Sequence, residues 1–145
     1  MKSARCRIMG VLMYLYRIRG FLQWGYNFYN SQFSRRPVDP YYMTHAGFAF
    51  PSGDAFLVYP GPDGSVLSSI RAEVQDDGLL DLRALTLLED LTDRETVEAL
   101  IYENAAMRPM TFTDYPRDDE YLLSLRERVA GVIEQAWKAS CSLLI

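Results

Sequence analysis

The sequence is poor in the residues that form disulfides and bind metals. Its 145 residues include two cysteines, Cys6 and Cys141, and one histidine, His45. The cysteines lie near opposite ends of the chain, so they allow at most one disulfide, which excludes a small disulfide-stabilised scaffold. A single histidine, with no closely spaced cysteine pair, argues against a zinc site. We therefore expect no metal ion and no other cofactor.

Long hydrophobic runs are also lacking. The apolar stretch from Ile8 to Tyr16 is far shorter than the roughly 20 residues that a membrane-spanning helix needs. Basic residues precede it, including Lys2 and Arg7, as in a signal peptide. However, Arg17 and Arg19 follow at once, and no small-x-small cleavage site comes after them. We expect neither a signal peptide nor a membrane partner, and the sequence does not indicate a cellular location.

Acidic residues are absent from the first 36 positions, which carry seven basic ones, whereas the remainder of the chain carries all 19 acids. A basic arm of this kind is found in some nucleic-acid-binding proteins. Here the arginines alternate with apolar residues such as Val11, Leu15 and Ile18, which is typical of the exposed face of a packed helix. No long basic run is available to follow a phosphate backbone, so we expect no nucleic-acid partner.

Hydrophobic periodicity predicts an α/β chain with two short strands and a mostly helical remainder. The predicted helices cover residues 4–18, about 65–91, 93–106 and 118–139, and the predicted strands are 21–26 and 55–59. Gly20 should break the first helix, Thr92 should cap the third, and Pro60 to Gly64 should form a turn. Gly78 either allows close packing or weakens its helix. Residues 27–53 form a long aromatic loop, a type of segment that is usually functional.

Five motifs follow one another in the first half of the chain. They are Gly20–Asn30 (GFLQWGYNFYN), Asp39–Tyr41 (DPY), Phe50–Asp54 (FPSGD), Phe56–Gly64 (FLVYPGPDG) and Ser68–Glu73 (SSIRAE). In combination and in this order they resemble the C-terminal portion of glycoside hydrolase family 123-like proteins, also called domain of unknown function 4091. The resemblance is strongest over residues 5–91.

The resemblance implies a TIM-like (β/α)8 barrel. Residues 1–91 would be the last βα units of that barrel, with the aromatic loop 27–53, and residues 92–145 would be C-terminal helices packed on it. The chain is shorter than the ~200 residues that a complete barrel requires. We therefore expect a C-terminal barrel fragment, with the missing N-terminal barrel portion as one of its partners.

The family also implies an activity, that of a β-N-acetylgalactosaminidase in which the sugar's own acetamide attacks the anomeric carbon. An adjacent Asp-Glu pair assists that reaction on an earlier barrel strand. The only Asp-Glu step in this chain is Asp119-Glu120, which starts the last predicted helix and is interpreted as part of its N-terminus. We therefore assign no catalytic residue, and we expect a carbohydrate-binding chain that is inactive alone.

Six residues are predicted to contact the carbohydrate: Trp24, Tyr26, Asn27, Tyr29, Asp39 and Asp54. Barrel active sites lie at the C-terminal ends of the strands, where the resemblance places the first three. Other interpretations stay open, because Trp24 and Tyr26 also suit a core and the two aspartates also suit turns. Two further functions stay open as well: a non-catalytic carbohydrate-binding module, and a truncated gene product without a function of its own.

Overall fold

The computed structural model describes residues 4–142, which form two compact units. The first unit combines the described residues of 1–19 and 74–145, and the second is Gly20–Glu73. The elements are α1 (Ala4–Arg7), α2 (Met9–Leu15), a 3-10 helix (Gln32–Ser34), β1 (Val58–Pro60), β2 (Val66–Ser68), α3 (Ile70–Leu91), α4 (Arg94–Tyr102) and α5 (Asp119–Ser142). The predicted mixture of helices with two short strands is thus confirmed.

The core of the first unit is formed by the apolar faces of its helices. Val11, Leu88 and Ile101 are completely buried there, and Leu122 and Val129 of α5 are nearly so. Buried residues recur at three- and four-residue spacing along the helices, as Leu85 and Leu88 do in α3 and Val97 and Ile101 do in α4, which is why periodicity predicted these helices. Burial of this shared apolar surface stabilises helices such as α4, which would be too short to form alone.

The first helical segment ends at Leu15, five residues before Gly20, and Arg17 terminates it. Arg17 adopts a left-handed conformation (φ 55°), its amide donates to the Tyr14 carbonyl, and the Ile18 amide donates to the Met13 carbonyl. These two hydrogen bonds define a Schellman motif, which satisfies the last carbonyls of a helix and usually has glycine at the left-handed position. The prediction that Gly20 breaks this helix was therefore wrong.

The cap of α4 also differs from the prediction. The Asp93 carboxylate accepts hydrogen bonds from the Thr96 amide (2.8 Å) and hydroxyl (3.0 Å), so Asp93 is the N-cap. The Thr92 hydroxyl instead donates to the Leu88 carbonyl of α3 (2.7 Å). Asp and Thr are both good N-caps, so composition alone could not separate these neighbours.

In the second unit the strands β1 and β2 form an antiparallel hairpin, with Val58 opposite Ser68 and Pro60 opposite Val66. The turn between them is stabilised by Asp63, whose carboxylate accepts from the Ser65 amide, and by Gly64 at a φ of 81°. The turn predicted from Pro60 to Gly64 is therefore confirmed. β2, however, occupies positions where the sequence predicted the start of a helix.

The strand predicted over residues 21–26 does not form. Backbone pairing begins later, because the Tyr26 carbonyl accepts from the Leu57 amide (2.8 Å) and the Phe28 amide donates to the Ala55 carbonyl (3.0 Å). Upstream, Gly25 packs so closely against residues 54–55 that a Cβ on it would lie 2.3 Å from the backbone carbonyl oxygen of Asp54. This backbone-to-backbone contact replaces the expected strand.

Candidate functional site

The second unit contains an aromatic cluster formed by Trp24, Phe28 and Phe50. The indole ring centroid of Trp24 lies 5.6 Å from that of Phe28 and 4.8 Å from that of Phe50, in tilted arrangements. Trp24 nevertheless remains 47% exposed. The indole is thus supported from beneath by two rings while much of its surface faces solvent, an arrangement suited to contact with the C–H face of a sugar.

Two of the predicted carbohydrate contacts, Tyr26 and Asn27, follow Trp24 on a fixed backbone. Tyr26 is held through its carbonyl oxygen, which accepts from the amides of Leu57 and Val58, and Asn27 forms an isolated antiparallel bridge with Phe56. Their side chains are exposed. A phenol and a carboxamide are therefore presented from a hydrogen-bonded segment, close in sequence to the aromatic cluster, and both can bind sugar hydroxyls.

Tyr29, a third predicted contact, has its polar group engaged within the fold. Its hydroxyl donates to the Val58 carbonyl (2.7 Å), and its ring packs edge-on against Phe56 with centroids 5.7 Å apart. Burial, with the nearby tyrosines as a smaller contribution, raises the pKa of the Tyr29 phenol above its ordinary value. The hydroxyl therefore stays protonated and fixes the backbone that follows Asn27.

The two predicted aspartates lie in turns. One carboxylate oxygen of Asp39 accepts from the Tyr41 amide (2.9 Å), and the Asp39 carbonyl accepts from the Met43 amide, which together form an Asx-type turn. The Asp54 amide donates to the Pro51 carbonyl (3.1 Å), and the Asp54 side chain is exposed. Both residues thus shape the loop, and their contact with carbohydrate stays a prediction.

Arg71 organises this unit in a way that the sequence did not reveal. Its guanidinium donates to the Phe56 carbonyl (Nη2–O 2.9 Å) and lies 5.3 Å and 5.8 Å from the ring centroids of Phe56 and Tyr59. It also packs on Gly53, whose φ is 83°. The cation–π and hydrogen-bonding contacts hold β1 and the loop end together. The sequence places Arg71 in the Ser68–Glu73 motif but does not show which residues it contacts.

The Asp-Glu step lies in the first unit, at the start of α5. The carboxylate of the preceding residue, Asp118, accepts from the Tyr121 amide (2.9 Å) and so caps the helix, while Asp119 accepts from the Ala4 amide (3.2 Å). Asp119 and Glu120 occupy the first helical turn, where negative charge is favourable. The interpretation of this pair as a helix N-terminus is confirmed.

Within residues 4–142 no group of three His, Cys, Asp or Glu side chains is placed to hold a metal ion. None of the helices described is both long and apolar enough to cross a membrane. Cys6 is a free thiol, and the side chain of Cys141 lies outside the described residues.

Residues 1–88, more than half of the chain, match the model of the family described as glycoside hydrolase 123, catalytic domain. The matched segment contains the aromatic cluster and all six predicted contact residues, and it ends before Asp119. No curated protein sequence matches the chain.

Proposed function

The chain belongs to the glycoside hydrolase 123 family, and we propose that it is the C-terminal part of a glycosidase-like protein that acts on N-acetylhexosamine-containing glycans. The observation that carries this proposal is the half-exposed Trp24, supported by Phe28 and Phe50, inside the family-matched segment. In the proposed complex, Trp24 supports the apolar face of a sugar, and Tyr26 and Asn27 bind the hydroxyl groups of that sugar.

The chain by itself is proposed to be inactive. The substrate-assisted reaction implied by the family resemblance needs an aspartate that orients the acetamide and a glutamate that transfers the proton. No Asp-Glu step occurs in residues 1–88, and Asp119-Glu120 forms the first turn of α5. The residues present can bind and orient a sugar, and the groups that transfer protons would come from elsewhere in the protein.

The proposal includes a TIM-like barrel, with residues 1–91 as its last units and residues 92–145 as helices packed on it. In addition to family membership, the apolar surface of α3 supports this architecture. Leu79, Leu80 and Leu87 of that helix are exposed in this chain. A barrel helix buries such residues against its neighbours, which the N-terminal barrel portion would supply.

The test combines binding and hydrolysis in one preparation. We expect isothermal titration calorimetry to detect binding of an N-acetylgalactosamine-containing oligosaccharide, and a chromogenic N-acetyl-β-galactosaminide to remain uncleaved. Trp24→Ala should abolish the binding, whereas Trp137→Ala, which changes an exposed tryptophan of α5, should not. Release of the chromophore by the pure chain would contradict the inactivity, and absence of binding by the folded chain would contradict the substrate class.

The second candidate is a free-standing carbohydrate-binding module. Other aromatic side chains of the second unit are also exposed, including Tyr41 and Tyr42, and exposed aromatics are common in binding surfaces. The coding sequence upstream of Met1 separates the candidates. An open frame that encodes an Asp-Glu pair favours the hydrolase, and an in-frame stop codon favours the module. A truncated product without a function would instead fail to unfold cooperatively.

A further inference from the structure

Phe48 is exposed and yet firmly placed. Its side chain is 90% exposed, and it is the last of three consecutive residues with left-handed backbone: Ala46 (φ 50°), Gly47 (φ 75°) and Phe48 (φ 68°). Residues other than glycine seldom adopt this conformation, because it costs free energy that the surrounding structure must offset. Such conformations cluster at functional sites, so the exposed Phe48 ring is a candidate for contact with a ligand.

His45 holds Phe48 in this position. Its Nδ1 accepts a hydrogen bond from the Phe48 amide (2.8 Å), and the imidazole stacks on the phenyl ring with centroids 4.1 Å apart and an interplanar angle of 22°. The His45 carbonyl also accepts from the Ala49 amide (3.0 Å). The imidazole therefore lies against part of one face of the phenyl ring, and most of the ring surface is left for a ligand.

The same turn leads directly to the aromatic cluster. The Phe50 amide donates to the His45 carbonyl (3.3 Å), and the Phe50 ring supports Trp24. Phe48 and Phe50 are two residues apart, so their Cα atoms lie within about 7 Å of each other. The exposed ring of Phe48 and the exposed indole of Trp24 are thus connected through one short segment of the second unit.

We propose that Phe48, positioned by His45, is a second carbohydrate-binding platform, which takes a further sugar residue of the same N-acetylhexosamine glycan that binds at Trp24. This inference rests on the proposed function. An aromatic face attracts the slightly positive C–H groups of a sugar ring, which is the role proposed above for the indole of Trp24. Two platforms joined by one turn favour an oligosaccharide over a monosaccharide, because the second sugar binds without a new loss of translational freedom.

The experiment measures the affinity of the chain for N-acetylgalactosamine and for a β-linked N-acetylhexosamine tetrasaccharide by calorimetry. The parent chain should bind the tetrasaccharide more tightly. Phe48→Ala should lower the tetrasaccharide affinity about threefold to tenfold and leave the monosaccharide affinity unchanged. Phe33→Ala is the matched control, because Phe33 is also exposed (75%) and left-handed (φ 60°), and it should change neither affinity.

The outcomes separate the two proposals. Unchanged tetrasaccharide binding by Phe48→Ala, together with its loss in Trp24→Ala, would overturn the second platform and leave the proposed function standing. Absence of any binding by the parent chain would overturn both. Two variants test the role of His45. His45→Leu should bind the tetrasaccharide no more tightly than the monosaccharide. In His45→Asn the side-chain oxygen replaces Nδ1 as the acceptor, so this variant should regain part of the tighter tetrasaccharide binding. Equal affinities of these two variants would refute the positioning role.

Discussion

Gly10 of α2 and Gly78 of α3 face each other in direct backbone contact. A Cβ built on Gly10 would lie 1.8 Å from the Gly78 carbonyl oxygen, and one built on Gly78 would lie 2.9 Å from the Arg7 carbonyl oxygen. Both distances are too short for a side chain. Glycine at position 10 therefore allows the close packing of α2 on α3, and glycine at position 78 allows that of α1 on α3. Of the two roles that the sequence allowed for Gly78, the structure selects close packing.

Gly10→Ala should therefore destabilise the first unit. The new methyl group must push α2 away from α3, and overpacking of this kind costs about 1–3 kcal/mol. Gly131→Ala is the matched control, because Gly131 lies in α5 with no atom within 4 Å of its Cβ position. Alanine at that position should raise the free energy of unfolding by about 0.5–1 kcal/mol. Urea denaturation measures both changes. Equal unfolding free energies of Gly10→Ala and the parent chain would show that the contact is not as tight as described.

A second prediction concerns Asp81, a nearly buried carboxylate of α3. It receives two hydrogen bonds from the Arg7 guanidinium (2.6 and 3.1 Å) and one from Arg126 (2.9 Å), and the bonding to Asp81 raises the pKa of Arg7 further. Asp81→Ala removes the hydrogen-bonded partner of the partly buried Arg7 guanidinium and should cost about 1.5–3 kcal/mol of unfolding free energy.

The control for that measurement is Asp77→Ala. Asp77 is half-exposed and lies 4.0 Å from Arg126, so its removal should change the unfolding free energy by less than about 1 kcal/mol. A similar small loss for both variants would mean that the Asp81 ion pairs contribute little.

A third prediction uses Tyr121, whose buried hydroxyl donates to the Ile101 carbonyl near the end of α4 (2.8 Å). That carbonyl has no partner within its own helix, so Tyr121→Phe should cost about 1–2 kcal/mol. Burial is the main cause that raises the pKa of the phenol above its ordinary value. Above about pH 10 the unfolded chain then loses a proton that the folded chain keeps, and stability should fall as the pH rises.

Unfolding by urea between pH 8 and 11 tests this dependence. Tyr121→Phe should remove part of the alkaline loss of stability, whereas Tyr42→Phe, which changes a 91% exposed side chain, should not. An identical alkaline slope for Tyr121→Phe and the parent chain would contradict the assignment.

A fourth prediction concerns the cap of α4. Hydrogen bonds from Thr96, with its amide as the largest cause, lower the pKa of the Asp93 carboxyl. The stabilisation that they give is present at neutral pH and is lost as the pH falls through the lowered value, because both states are then protonated. Asp93→Ala should lower the melting temperature at pH 7 and differ less from the parent at pH 2. Thr92→Val should leave the pH dependence of the melting temperature unchanged. A pH dependence that changes in Thr92→Val and not in Asp93→Ala would show that Thr92, as predicted from the sequence, is the N-cap.

The helices were predictable because their signal is repeated many times. Residues such as Leu85, Leu88, Leu122 and Val129 recur at helical spacing, and each repeats the same information about a buried face. The sequence around a helix end gives less information than the repeated apolar positions do. At the start of α4, the hydrogen bond from the Thr96 amide decides between Thr92 and Asp93 as the cap. At the end of α2, the left-handed residue is Arg17, where glycine would be expected. The sequence singled out Trp24 as a candidate sugar contact, and that contact stays a prediction. The support of its indole by Phe50 could not be predicted, because it depends on a tertiary contact between residues that are 26 positions apart.

The missing strand at residues 21–26 has a comparable cause. An apolar, aromatic run is typical of a buried strand, but a strand also needs a partner for its backbone hydrogen bonds. In this chain the Gly25 backbone packs against Asp54 and Ala55, and the pairing starts only at Tyr26. Local sequence cannot show which partner the backbone meets.

The most direct measurement of the central claim follows the fluorescence of Trp24 during a glycan titration. Trp24 and Trp137 are the two tryptophans of the sequence, so Trp137→Phe leaves Trp24 as the single reporter. If Trp24 binds N-acetylhexosamine glycans, its emission should shift to shorter wavelength and saturate with an N-acetylgalactosamine-containing oligosaccharide, but not with a glucose oligosaccharide of equal length. Unchanged emission at every glycan concentration, in a variant that unfolds cooperatively, would contradict the account.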